Sequence, residues 1–303
     1  MFTTQDEGDR DDARGHRHQP LTDAGRSLLS TLQPPAAGRR ALDVGCGTGA
    51  GPEGGTMSVE DINTRAWTVY GARQLARAYV PPVPDHLGWS PWAGVGPGAE
   101  VLGDVTGRRV LDIGSGAGHH AVHLARVHGA LVTGIERSPT QHSRAASAHA
   151  AVPGVAFVHG DVVAYLAEAE PFDAAYAVGS LAFIDPRRVL PALRDGLRSG
   201  APLVLSLLHT DLHGRGPSTE VAPREQVILL RDDPPLSTRM WVLAPRAWEE
   251  LLTEHGFHVE AVDLMHHPDE GTPVVQQLVR ARRLPDRPVQ APLPGGFRPD
   301  PVG

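Results

Sequence analysis

One stretch, Val110 to Glu136 (VLDIGSGAGHHAVHLARVHGALVTGIE), constrains the fold more than the rest of the chain. Its apolar start, Val110–Ile113, suits a parallel strand buried on both faces. Gly114, Gly116 and Gly118 follow, and a turn without β-carbons lets backbone lie flat against a ligand. Ala121, Val122, Leu124 and Ala125 then recur at helical spacing. Val132–Ile135 reads as a second short strand, with Glu136 at its carboxyl end. Ligands of open α/β sheets bind in the crevice outside the carboxyl ends of the strands. An acid there can accept both hydrogen bonds of a ribose diol, so the stretch predicts a pocket for a nucleoside-containing cofactor.

The glycine spacing bears on which cofactor. The dinucleotide fingerprint runs G-x-G-x-x-G/A, whereas these glycines fall as G-x-G-x-G and His119 occupies the third fingerprint position. A histidine there predicts looser packing of the helix start on its strand. Asp112 lies two residues before the first glycine, inside the apolar run. A buried acid needs a partner, and the cationic amine of a methionine moiety would serve. The pattern resembles motif I of the class I S-adenosylmethionine-dependent methyltransferases. Glu136, 22 residues after Gly114, resembles their ribose-binding acid. An NAD(P)-dependent oxidoreductase carries a similar acid and is one alternative; a non-catalytic methyltransferase-like binding protein is another.

The rest of the core alternates. Thr140–Ala150 reads as a helix, Val155–Val158 as a strand ending in Gly160-Asp161, and Phe172–Val178 as the fourth strand. Asp185 can cap a helix over Pro186–Arg198, and Leu203–Leu208 is the fifth strand. Pro245–His255 is a helix closed by Gly256, with Phe257–Leu264 and Val274–Arg280 as the last strands. Such alternation argues for a parallel, doubly wound sheet. Residues 107–283 resemble the small-molecule group of the family, which includes ubiquinone-biosynthesis-type enzymes. That resemblance implies a Rossmann-like, doubly wound, seven-stranded sheet with its last strand antiparallel, and S-adenosyl-L-methionine as cofactor. It implies that Asp161 and Val162 meet the adenine, and that a backbone carbonyl near Val178 holds the methionine amine. It also draws Arg137 and Tyr70 into the cofactor pocket.

Around the domain over residues 107–284 lie three further segments. Residues 1–56 read as a poorly ordered extension carrying a degenerate second glycine motif, Arg39–Gly51, without the amphipathic helix that would follow a working one. Residues 57–106 predict a helical cap. Ile62, Trp67, Val69, Tyr70, Leu75 and Ala78 suggest its buried stripe, and PPVPDH breaks it. Trp67, Tyr70, Trp89 and Trp92 are candidates to line an acceptor pocket, against ordinary core packing. The insertion 210–244 carries VILLR (227–231) and TRMWVL (238–243), which predict a hairpin over the site. The proline-rich tail 285–303 reads as disordered.

Composition excludes several chemistries. All 28 basic residues are arginine, so there is no lysine for a pyridoxal-phosphate Schiff base, a P-loop or a protein kinase. A net charge of −7 with no basic face argues against nucleic acid as a partner. Gly179-Ser180-Leu181 stands where base-amine methyltransferases carry [DNS]-P-P-[YFW]; the DPPL at Asp233–Leu236 follows the fifth strand and reads as a turn. No apolar run approaches membrane-spanning length, and a lone cysteine, Cys46, fits a cytoplasmic location. His119 and His123 share a helix face but lack a third ligand, so no metal is expected. His209, at the end of the fifth strand, is the candidate general base, against a turn-capping role; His86 and Tyr70 are weaker candidates. The function implied is O- or N-methylation of a small-molecule acceptor, in secondary metabolism by composition and resemblance. The acceptor and the oligomeric state are not legible.

Overall fold

The computed structural model describes residues 57–230, 233–269 and 271–286. The glycine motif at Arg39–Gly51 and most of the proline-rich tail lie outside the described residues. The apolar runs become strands: β1 (Arg109–Ile113), β2 (Leu131–Glu136), β3 (Val155–His159), β4 (Ala174–Val178) and β5 (Pro202–Leu208). After a separate hairpin, β6 (Arg224–Ile228) with β7 (Leu236–Met240), come β8 (Phe257–His266) and β9 (Val275–Arg283). One sheet takes the order β3-β2-β1-β4-β5-β9-β8. Strands β1 to β5 run parallel, and β9 inserts antiparallel between β5 and β8. The seven-stranded, doubly wound sheet expected from the resemblance is therefore present.

The order reverses between β1 and β4, which opens the crevice at their carboxyl ends. Right-handed crossovers on the two sides of that point put helices on opposite faces. Helices α2 (His119–His128) and α3 (Pro139–His149) cover one face. Helices α4 (Val162–Leu166), α5 (Pro186–Gly196) and α6 (Pro245–Glu254) cover the other. Their starts obey local chemistry: Ser138 caps α3 by accepting from Gln141 N at 3.3 Å, and Asp185 caps α5 by accepting from Arg187 N at 2.9 Å. An irregular segment completes the face that α2 shares. Trp89, fully buried, lies edge-on to Tyr176 of β4 at 6.0 Å and donates from Nε1 to Gly98 O at 2.9 Å. Trp92 packs on His267. These two tryptophans are core. Among the described residues no helix is long and apolar enough to cross a membrane.

The cap helix α1 (Val59–Ala76) forms, but not on the stripe its apolar residues suggest. It buries Asn63, Ala66, Tyr70, Gly71 and Gln74, while Val69 and Leu75 are about two-fifths exposed (39% and 42%). The reason is polar docking. Asn63 Nδ2 donates to Phe183 O (2.9 Å) and Arg239 O (2.8 Å), and its Oδ1 accepts from Arg239 N (2.8 Å). One amide thus ties α1 to β7 and to the 3₁₀ turn Leu181–Phe183 that follows β4. Trp67 stands edge-on to Tyr70 (5.5 Å) and to Phe183 (5.1 Å) in the same junction. Gly71 brings α1 against the start of α3, where Thr140 Oγ1 donates to Thr68 O at 2.7 Å.

A β-carbon on Gly71 would sit 2.9 Å from Gln141 N, which is backbone and cannot swing aside. Alanine in place of glycine inside a helix ordinarily gains up to about 1 kcal/mol, but overpacking typically costs about 1–3 kcal/mol. Gly71→Ala should therefore destabilise the protein by about 1–2 kcal/mol and lower its Tm in a thermal melt. A raised Tm would show that α1 does not rest on α3 this closely.

Candidate cofactor and acceptor site

Backbone hydrogen bonds set the strand ends side by side. Gly114 N and Ser115 N both donate to Ile135 O, at 2.8 and 3.0 Å. Gly160 N donates to Glu136 O at 3.0 Å, and Gly179 N to Ser206 O at 2.9 Å. Asp112, the glycine turn, Glu136 and Asp161 consequently line successive strand ends rather than scattering.

The three glycines all have positive φ (69°, 56° and 81°), but they serve different needs. A β-carbon on Gly114 would lie 2.5 Å from Ser180 Cβ, and one on Gly118 would collide with Phe157 and sit 3.1 Å from Ala145. Both are glycine because protein packs there. At Gly116 the nearest neighbour is Gln141 Nε2, 3.8 Å from where a β-carbon would be. Gly118 also does the close packing expected of the third fingerprint position, so His119 does not loosen the start of α2.

Glu136 is clamped by backbone: Oε2 accepts from Gly116 N at 2.9 Å and Oε1 from Ser138 N at 2.7 Å. Each oxygen keeps a second lone pair for a ligand. Burial pushes its pKa up, against the pull of those N–H groups. Asp112 is 3% exposed, and burial pushes its pKa up to about 7. Tyr176, its register neighbour on β4, pulls the value back down. Even so, neither Asp112 Oδ2 nor the Tyr176 hydroxyl completes a hydrogen bond. A buried carboxylate oxygen without a donor is rare and needs a cause.

Asp161 has structural duties as well. Its Oδ1 caps α4, accepting from Val163 N (3.0 Å) and Ala164 N (3.3 Å), and takes Arg188 Nη2 at 2.6 Å. Burial raises its pKa, but Arg188 and the helix N–H groups together bring it below the usual carboxylate value. Among the described residues Oδ2 meets only Arg137 Nε, at 3.8 Å. Val162 is the first residue of α4 and Val178 the last of β4. Arg137 also pairs with Asp61 of α1 at 2.8 Å, which places it on the rim between cap and sheet. Tyr70 is buried on α1, its ring 5.9 Å from the Arg144 guanidinium carbon.

His209 follows β5, its N–H donating to Val275 O at 2.9 Å, with Nδ1 buried and unpaired. Burial, then His266, lowers its pKa, so it is neutral at pH 7. Two strand spacings, about 10 Å, separate β5 from β1. His123 Nδ1 donates to Pro84 O at 2.8 Å and His119 stacks on His120; among the described residues no group of three potential ligands could hold a metal.

Sequence reasoning missed Gln141, Arg144, Asn63 and Ser180. Ser180 Oγ donates to Ile113 O beneath the glycine turn. The first three read from sequence as polar residues of solvent-facing helix turns, and only their burial distinguishes them.

Residues 110–200 match the sequence profile of a family described as "Methyltransferase domain". O-methyltransferase resE of Aspergillus sclerotiorum is 33% identical over 166 residues, which cover 52% of this chain and 58% of that protein. O-methyltransferase rstn1 of Aspergillus nomiae is 34% identical over 116 residues, 37% of this chain and 52% of that one. The chain thus spans little more than half the length of these curated relatives. Among solved structures, a Listeria monocytogenes protein described as an S-adenosylmethionine-dependent methyltransferase superposes with a TM-score of 0.50 at 18% identity, covering 61% of this chain and 95% of that one. The [4+2]-cyclase SpnF superposes with a TM-score of 0.55 at 17% identity, over 75% and 96%. At such identities these two structures speak for the fold alone. Residues 110–200 are thus similar to a methyltransferase domain, and the sheet around them has the fold of these two solved structures.

Proposed function

We propose that the protein transfers the methyl group of S-adenosyl-L-methionine to an oxygen or nitrogen of a small-molecule acceptor. The observation that carries this reading is the buried Asp112 carboxylate oxygen, unpaired among the described residues, two residues before a glycine turn at whose middle glycine the nearest neighbour is Gln141 Nε2, 3.8 Å from where a β-carbon would be. A carboxylate held at such cost fits a cationic amine. The curated O-methyltransferase relatives support oxygen as the acceptor atom. The lone cysteine supports a cytoplasmic place of action, and composition a role in secondary metabolism.

S-adenosyl-L-methionine, when bound, supplies a methyl group already activated by its sulfonium charge. This chain's residues bind, align and exclude water. Asp112 would take the amine, with the Val178 carbonyl as a second acceptor. The free lone pairs of Glu136 would take the ribose hydroxyls. Asp161 Oδ2 and the Val162 N–H would meet the adenine, with Arg137 closing the rim above them. Tyr70 and Trp67 would form the cap's wall. Alignment and dehydration are the main sources of rate in an in-line displacement. The Asn63 bridge between cap, hairpin and the turn after β4 is the device in this chain that would exclude water. His209, neutral at pH 7 by burial, would accept the proton of an acceptor hydroxyl through its unpaired Nδ1. An amine acceptor needs no such base beyond loss of its first proton. The cyclase among the fold neighbours is a reminder that the same scaffold hosts other chemistry. Incubating metabolite extracts with methyl-labelled S-adenosylmethionine tests the reading directly, since only methyl transfer moves label into a product.

Asp112 yields a prediction with opposite signs for stability and binding. Its folded pKa, about 7, lies above the ordinary value near 4. Below pH 4 both folded and unfolded forms are protonated and nothing is lost. Between about pH 4 and 7 the unfolded chain ionises first, so folded stability falls as pH rises, by on the order of a few kcal/mol. Asp112→Asn should therefore raise the Tm at pH 8 more than at pH 5, while abolishing calorimetric binding of S-adenosylhomocysteine. Wild-type affinity for that ligand should rise between pH 6 and 8. Undiminished binding by the variant would remove Asp112 from the site.

Glu136→Ala should weaken S-adenosylhomocysteine by about 1–3 kcal/mol through lost charge-assisted bonds, and unchanged affinity would refute the ribose assignment. A competing titration with NADH should show no binding. Once an acceptor is in hand, His209→Ala should lower turnover without altering cofactor affinity; full activity would eliminate it as a base.

A further inference from the structure

Gln226, in the middle of β6, is 1% exposed, and one atom of its amide lacks a partner. It lies on the buried face of the hairpin, in register with Thr238 of β7, which is as deeply buried. The other buried residues of the two strands, Ile228, Leu236 and Met240, are apolar. Two polar side chains thus sit side by side in an otherwise apolar surface. Thr238 is accounted for, because its Oγ1 donates to Gln226 O at 3.3 Å. Gln226 is accounted for only in part. Its Nε2 donates to Asp211 Oδ2 at 3.4 Å, whereas Oε1 is buried with no hydrogen-bond partner among the described residues.

Asp211 decides which way that amide faces. It is fully buried, and Oδ1 accepts from His213 N at 2.9 Å and Arg215 N at 3.0 Å, while Oδ2 accepts from Arg215 Nε at 2.5 Å. Burial pushes its pKa up, but the Arg215 guanidinium and the two backbone N–H groups bring it below the usual carboxylate value. Asp211 is therefore ionised at neutral pH, and an ionised carboxylate only accepts. The Gln226 amide must turn its nitrogen to Asp211 and its oxygen away. Flipping the amide cannot rescue the orphan, which is an acceptor in want of a donor. A buried acceptor left so has given up its hydrogen bonds to water for nothing in the protein.

The place of the hairpin points to the source of the donor. Asp211 stands two residues beyond His209, so their Cα atoms are at most about 7 Å apart, and both follow the carboxyl end of β5. Just past β7, Trp241 N donates to Ala182 O in the turn after β4 at 2.8 Å. Asn63 of the cap joins Arg239 of β7 to Phe183 of that same turn. The hairpin is thus fastened to the segments that follow β4 and β5, on the edge of the sheet where ligands bind. The three carboxylates assigned to the cofactor stand at β1, β2 and β3, which leaves the ends of β4 and β5 to the molecule that is methylated.

We propose that Gln226 Oε1 accepts a hydrogen bond from the methyl acceptor, so that this molecule carries a second donor, a hydroxyl or an N–H, besides the atom that receives the methyl group. The proposal names a substrate class for the methyl-transfer reading above and rests on it. Gln226 is a binding residue that selects among acceptors, and Asp211 is the positioning residue that aims its amide. A site built to bond a substrate hydroxyl or N–H rejects the analogue that lacks it, because its own polar group is then left unpaired.

The test uses methyl-labelled S-adenosylmethionine with a metabolite extract, and then the acceptor so isolated. The labelled product should retain a free hydroxyl or N–H; a product with no donor left would overturn the proposal. Replacing that donor by hydrogen, one donor at a time where there are several, should lower wild-type kcat/KM about tenfold or more for one of the analogues. That comparison needs no variant to fold, and equal wild-type rates on the acceptor and every analogue would overturn the proposal. Gln226→Met should lose about tenfold on the acceptor, chiefly through KM, and then treat acceptor and analogue alike to within about twofold. Its calorimetric affinity for S-adenosylhomocysteine should stay within about twofold of wild type. A variant that keeps the wild-type preference would eliminate Gln226 as its source. A variant with a lowered Tm and equal losses on both compounds would make Gln226 a strut between hairpin and Asp211, and would equally overturn the proposal. An extract in which nothing takes up label would overturn the methyl-transfer reading itself, and this subsite with it.

Discussion

The Glu136 carboxylate clamps two backbone segments at once, and the site depends on that clamp. One oxygen holds Gly116 N in the turn after β1; the other holds Ser138 N at the start of α3. Ile135, one residue earlier, holds Gly114 and Ser115 through its carbonyl. The turn is therefore shaped by β2 rather than by its own residues. Positive φ at three alternating positions makes the bend possible, and the neighbouring strand makes it rigid. A preformed bend of this kind lowers the ordering cost that binding would otherwise carry.

Much of this was legible in the sequence because buried parallel strands read as apolar runs and glycine turns read as glycines. Val110–Ile113, Val132–Ile135 and Leu203–Leu208 all became strands at nearly those bounds. The cap was legible only as a helix. Hydropathy pointed to Val69 and Leu75, yet the helix docks through an asparagine amide and a glycine, and neither carries a hydropathic signal. The five-residue α4 was not anticipated because its start is encoded by Asp161 capping two N–H groups, and the same acid had an apparent ligand role. Arg144 is invisible for a related reason. On a helix otherwise rich in polar residues, nothing in its neighbours distinguishes an arginine turned inward from one in water.

Two tensions run through the site. Among the described residues Asp112 and Arg144 are each buried without an ion-pair partner, and each makes the fold less stable than an apolar residue would. Binding sites commonly hold such locally unfavourable arrangements, stabilised by the packing around them. Here that packing is dense: Trp89, Tyr176 and Leu111 are all fully buried beside β1 and β4.

The fold neighbours sharpen what the fold itself can and cannot carry. A cyclase and a protein described as a methyltransferase share this fold at under 20% identity, so the fold does not say what becomes of a ligand. The distinction has to come from polar groups whose burial has no structural purpose. Asp161 does not qualify on its own, because capping α4 and pairing with Arg188 already explain it. Glu136 qualifies in part, since its clamp uses one lone pair on each oxygen and leaves the others. Asp112 qualifies most fully: its Oδ2 is buried with no hydrogen-bond partner among the described residues. A ligand group that meets it has to be a hydrogen-bond donor, and a cation answers its charge best, which is a narrower requirement than any the sheet imposes.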